Sequence, residues 1–231
     1  NSLILKNGYN QPLSVCSVKP VKVALALGAL LAAAALAVVF VTTLGRDPAS
    51  CALERLASAR GWRFEEIIDF GDVKVLVVGN VSLATQELLT SITAWRAAAA
   101  ENRIVYSNAT HSMVLVEGGW VSRRGGWRLE DTVLYRLLLL ARDSPERSAH
   151  ALGDTRVVEF RGPCRSLCLS LFSELRSLAQ SSAPEPESYS GRFIASGCTP
   201  LELTVDFERN GSVAKLSYKV TSFDVPVSVK P

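Results

Sequence analysis

VALALGALLAAAALAVVFV, from Val23 to Val41, carries no charge and no proline, and only Gly28 weakens it as a helix. A helix of about 20 apolar residues crosses the roughly 30 Å hydrocarbon layer of a bilayer, whereas a soluble helix has no need to be apolar on every side for so long. The stretch predicts one transmembrane helix over residues 22–45, a short tail over 1–21 before it and a single larger domain over 46–231 after it. A cleaved signal peptide fits less well, because about twenty residues precede the apolar core, more than a short basic leader, and no clear small-residue cleavage site follows it. A lipoprotein signal fits worse, since Pro48-Ala49-Ser50-Cys51 is a poor match and lies far downstream. Gly28 and Ala32, with Ala29, Ala33 and Ala37, repeat small residues at helical spacing, which makes the span a candidate for a helix–helix partner or a homo-oligomer.

Charge divides at the span. Lys6, Lys19 and Lys22 are the only charged residues up to Gly45, so the formal excess of +3 sits on the tail and the domain is balanced. A balanced domain without a basic run has no electrostatic footprint for nucleic acid. The tail lysines favour the cytoplasm, while Arg46, Arg55, Arg60 and Arg63 on the other flank weaken that vote. Two patterns decide the orientation. Asn80-Val-Ser, Asn108-Ala-Thr and Asn210-Gly-Ser are glycosylation acceptor triplets. Cys51, Cys164, Cys168 and Cys198 all fall in the domain, an even number suited to two disulfides in an oxidising space, and Cys16 alone lies in the tail. The expected arrangement is a single-pass cell-membrane protein with a cytoplasmic N-terminus and an extracytoplasmic domain.

Within the domain, Asp47-Pro48 opens a short helix that Gly61 closes. Trp62 to Gly79 reads as a hairpin turning at Gly71-Asp72. Leu88, Ile92, Trp95 and Ala99 form a helical stripe, predicting a helix over Leu83 to Glu101. Arg103 to Ser107, Ser112 to Glu117 and Trp120 to Arg123 are short β runs. Leu129 to Arg142 is a helix so apolar that other elements must enclose it. Thr155 to Phe160 is a strand, and a third helix runs from Pro163 to about Gln180 with Leu167, Leu171, Leu175 and Leu178 inward. After the polar loop SSAPEPES the chain returns to β structure, where Asn210-Gly211 between alternating runs is the strongest hairpin signal available. The fold class expected is α+β, an antiparallel sheet packed around helices and preceded by the transmembrane helix.

Catalytic constellations are nearly absent. His111 and His150 stand in turn-like surroundings with no partner at ligand spacing, and Glu65 and Glu66 point to opposite faces of a strand. No phosphate-cradling loop, nucleophile elbow or HExxH helix occurs. Cys164-x3-Cys168 with two distant cysteines is not a zinc-finger spacing, and no other metal or cofactor is implied. Because bonding Cys164 to Cys168 within one helix would strain the bridge, each is expected to reach Cys51 or Cys198.

Gly126-Trp127 before the leucine-rich helix, Gly153 and Gly162 around Thr155 to Phe160, the Asn210-Gly211 hairpin, and the ending Ser222-Phe223-Asp224-Val225-Pro226-Val227 together resemble the periplasmic lipoprotein-carrier (LolA-like) half-barrels. The resemblance covers Leu83 to Pro231. Such proteins usually have glycine where Asp224 stands, and lack the SSAPEPES insertion. The resemblance implies a curved sheet around helices, with an apolar cavity that Val114, Leu134, Leu137 and Leu138 would line, or a cup that the helices simply fill. Two functions follow as expectations: non-catalytic binding of a lipid or other hydrophobic ligand, or service as a structural or accessory subunit of a membrane complex.

Overall fold

The computed structural model describes residues 46–97, 99–116 and 119–226. The segment predicted to span the membrane, with Gly28, Ala32 and the tail, lies outside them.

Asp47 caps the first helix, α1 (Pro48–Ala57): its carboxylate accepts the Ser50 amide at 2.9 Å, and Pro48 supplies the fixed φ of the first turn. Eleven strands follow: β1 (Gly61–Asp69), β2 (Val73–Ser82), β3 (Glu87–Arg96), β4 (Ala99–Ser107), β5 (His111–Val116), β6 (Gly119–Arg124), β7 (Glu146–Leu152), β8 (Thr155–Pro163), β9 (Ser188–Ser196), β10 (Thr199–Glu208) and β11 (Ser212–Phe223). Helix α2 (Val133–Asp143) stands between β6 and β7, and α3 (Ser166–Ala179) between β8 and β9.

All eleven strands form one antiparallel sheet in the order β6-β5-β4-β3-β2-β1-β11-β10-β9-β8-β7. Every pairing but one joins strands consecutive in the chain. The exception is β1 against β11, a seam that includes Glu66 opposite Tyr218.

Alternation explains the strands. Trp62, Phe64, Glu66 and Ile68 of β1, and Val73, Val75, Val77, Gly79 and Val81 of β2, turn to one face and are buried, while their neighbours turn to solvent. Gly79 is required there, because a Cβ would stand 2.4 Å from the Phe64 ring. Against this face lie the helices. Leu134, Leu137, Leu138 and Ala141 repeat at helical spacing on α2, as Cys168, Leu171, Phe172 and Leu175 do on α3, and all join one core with Trp62, Phe193, Phe207 and Leu216. Phe172 meets Phe70 and Phe207 edge to face.

Asp224 ties the end of the sheet to α1. Its carboxylate accepts from Arg55 at 2.8 Å and from the Arg60 amide at 3.0 Å, and its carbonyl accepts from the Arg60 side chain at 2.6 Å. Its φ of +54° is one that glycine adopts at no steric cost. The Arg60 amide bond, and then the charges of Arg55 and Arg60, hold its carboxyl below the usual aspartate range.

Three expectations are corrected. The expected α+β class led by a transmembrane helix is corrected to a predominantly β architecture over the described residues, none of whose helices is long and apolar enough to cross a membrane. The helix expected over Leu83 to Glu101 is the β3–β4 hairpin: residues four apart share a face in a strand as well as in a helix, so Leu88 and Ile92 fit both periods, while Trp95 lies on the opposite face. The disulfides pair Cys51 with Cys198 and Cys164 with Cys168. Cys164 precedes the extended helix cap Arg165, so the chain there brings the two Cα atoms to 5.1 Å without bridging a helical turn.

Candidate functional site

The inner face of the sheet has a covered part and an open part. One row of opposed residues crosses it from Phe64 through Gly79, Thr90, Val105 and Val114 to Val121. Exposure rises along that row, from 6 % at Phe64 and 8 % at Thr90 to 50 % at Val121. The helix cover therefore thins from β4 outward: Val105 and Val114 are half-buried, Val105 still packing against the core, and Val121 of β6 is exposed.

A cavity of about 180 Å³ lies where this open part meets the C-terminal end of α3. Val73, Ile92, Ala94 and Leu178 give it apolar walls, and Arg96 and Arg103 stand among them. Arg96 donates to the Ala179 and Gln180 carbonyls, both at 3.0 Å, so a cation closes the negative end of the helix. Arg103 is bound by Glu101 at 2.8 and 2.6 Å. A wider groove of about 570 Å³ shares Arg103 and Leu178 with the cavity and runs along Ser170, Ser173, Glu174 and Ser177. Arg136 of α2 holds Glu174 at the edge of this groove. The closed end alone is smaller than ligand clefts of roughly 300–1,000 Å³, and with the groove the space falls in that range.

Beneath α3 is a buried acid. Glu66 is 2 % exposed, and its Oε1 has no hydrogen-bond partner among the described residues. Burial, and then the charge of Glu174, push its carboxyl up to about 8. Tyr218, opposite it, accepts a hydrogen bond from Trp62 Nε1 at 3.0 Å and stacks on Phe64 at 4.9 Å.

The residues singled out from the sequence fall in different places. Leu134, Leu137 and Leu138 are fully enclosed in the core, whereas Val114 lies half-buried on the open row. Asn80 is on the outer face of β2. Asn108 folds a turn, its Oδ1 accepting the Thr110 and His111 amides at 2.9 Å, and Asn210 is an exposed hairpin tip at φ +52°. His111 and His150 are exposed. Sequence reasoning passed over Arg96, Arg103 and the serines of α3. Ser170, Ser173 and Ser177 recur at helical spacing away from Leu171 and Leu175, and that polar stripe was the available signal.

No protein-family profile matches the sequence, and no curated protein sequence matches it. Solved structures do. LprF from Mycobacterium bovis is 8% identical over 80% of this chain and 94% of its own, with a TM-score of 0.50. An uncharacterized conserved protein from Thermus thermophilus is 9% identical over 79% of this chain and 90% of its own, with a TM-score of 0.45. The open eleven-stranded sheet, the helices against its inner face and the likeness to LprF give the chain the LolA-like half-barrel fold that its turn and packing residues resembled.

Proposed function

We propose that this domain binds a lipid or other chain-like apolar ligand without catalysis, in an oxidising space outside the cytoplasm. The observation that carries the reading is the inner row Val105, Val114 and Val121, progressively exposed towards β6 and on the same face of the sheet as Ile92 and Ala94, which with Leu178 wall the apolar cavity. An exposed apolar surface of this kind marks a place where something binds. Arg96 and Arg103 near the cavity suit the polar or anionic end of such a ligand. Two disulfides, four cysteines without a thiol to spare among the described residues, support the oxidising compartment.

The test is native mass spectrometry of the full chain with added palmitate, beside an Ala94→Trp variant that fills the cavity. The expected result is one bound fatty acid on the parent protein and at least about tenfold weaker binding on the variant. Equal binding, or none to either, refutes the reading.

A second reading is favoured by a specific observation: Leu134, Leu137 and Leu138 leave no room around α2. A filled core of this kind suits a structural or accessory subunit, and a protein that carries no ligand and is recovered only in a complex supports it.

A further inference from the structure

Glu66 is costly where it stands. A carboxyl taken out of water and given no partner disfavours its charged form strongly, and an apolar residue at the same place would carry no such penalty. Its surroundings define what its ionisation would do. From β2 come Val75, Val77 and Gly79, none of which titrates. From β11 comes Tyr218, whose hydroxyl is held by Trp62 and whose own ionisation is opposed by burial and by the charge of Glu66. From α3 comes Glu174, tied to Arg136 of α2 and like-signed with an ionised Glu66.

We propose that Glu66 is a proton-sensitive latch beneath α3: neutral, it tolerates the closed core, and ionised, it favours a state in which α3 lifts from the sheet, the carboxylate meets water and the apolar space widens. The inference rests on the reading that the inner face takes an apolar ligand. Two observations besides the proton affinity support it. The unpartnered Oε1 gains hydrogen bonds only if water enters. The far end of α3, held by Arg96 through two carbonyl bonds, borders the cavity, so space already separates it from Ile92 and Ala94 of the sheet. A shift between two states of this kind is as large as the difference in proton affinity between them.

The experiment uses the full chain at pH 6.5 and pH 9, with amide hydrogen exchange of α3 corrected for the intrinsic rate, and photolabelling by a diazirine-bearing hexadecanol, whose charge is constant over this range. The parent protein is compared with Glu66→Gln, which keeps the shape and removes the charge, and with Glu65→Gln on the opposite face. The latch predicts that local opening of α3 in the parent rises at least about tenfold at pH 9, while β10 stays protected, and that labelling of peptides 88–116 rises with it. Glu66→Gln is flat in both readouts and Glu65→Gln behaves as the parent does. Equal α3 exchange at the two pH values overturns the latch, as does a rise shared by β10, which is global unfolding. Labelling without any pH effect leaves ligand binding standing and removes the latch. Opening of α3 without labelling removes the ligand and leaves the latch.

Discussion

The two wings of the sheet are built on the same pleat and treated differently. On the outer face of β7 to β11 and β1, one row reads Glu146, Arg161, Ser190, Asp206, Lys215, Asp69, with Lys74 of β2 next: the charges alternate in sign, interrupted only by Ser190, and Arg161–Glu146 and Lys215–Asp206 are paired. Another row, crossing β2 to β6, reads Val78, Ser91, Ile104, Leu115, Trp120, with Val78 44 % exposed and the other three large residues each 37 %. Inside, the first wing is filled by helices and carries both disulfides, while on the second the cover thins from the buried valines of β2 to Val121 of β6, 50 % exposed. The first wing is a finished core with a solvated back. Towards β6 the second has apolar residues on both sides and little to bury them against, which is how a surface that meets other molecules differs from one that only holds the fold.

The comparison can be broken at several points. Replacing Cys51 and Cys198 by alanine opens a cross-link spanning 147 residues, and chain entropy gives an expected loss of up to about 5 kcal/mol, against about 2 kcal/mol for the Cys164–Cys168 pair, whose separation is 4. Urea unfolding of the two double variants checks this, and equal losses would remove the distinction.

Stability should also fall with alkali through Glu66. Its folded carboxyl titrates at about 8, above the ordinary value of 4.5, so the contribution is fully present below pH 4.5 and is lost as pH rises to 8. The expected loss is on the order of 4 kcal/mol across that window, and Glu66→Gln should flatten the curve. A parent protein equally stable at pH 5 and pH 8 would contradict the buried neutral acid.

Core truncation sharpens the contrast directly. Leu138→Ala, in the filled wing, is expected to cost about 3 kcal/mol, whereas Val121→Ala in the open wing should cost under about 0.5 kcal/mol. Smallest of all, Trp120→Ser on the outer face should change stability within about 0.5 kcal/mol in either direction while reducing any self-association seen by sedimentation. A large loss from either surface change would mean that the open wing is packed after all.

Much of the fold is legible in the sequence because turns and caps are local. Asp47-Pro48, Gly71-Asp72 and Asn210-Gly211 each open or turn an element where the residues themselves place it. The β3–β4 hairpin is not legible as such, since Leu88 and Ile92 satisfy both periods and Ala97, at φ +51°, is an unusual residue for a turn. Strand β7, ERSAHAL, escapes reading because it is an edge strand with every residue exposed and so shows no burial pattern. The sequence points to Val114, half-buried on the partly open row, but does not separate it from the enclosed Leu134, Leu137 and Leu138, because a hydrophobic residue looks the same in a sequence whether it is half-open or enclosed. Strand alternation alone turns Glu66 away from Glu65, as the structure has it. Which of the two faces the core depends on β11, more than 140 residues away in the chain.

That distant pairing governs how the molecule can be made. Strands β2 to β6 and β7 to β10 pair with neighbours in the chain, so each meander can zip up while later residues are still being synthesised. The seam between β1 and β11 must wait until β11 has emerged. Until then β1 offers a naked flank carrying Trp62, Phe64 and Ile68, and it is on this strand that a chaperone or a stray neighbour would find its hold.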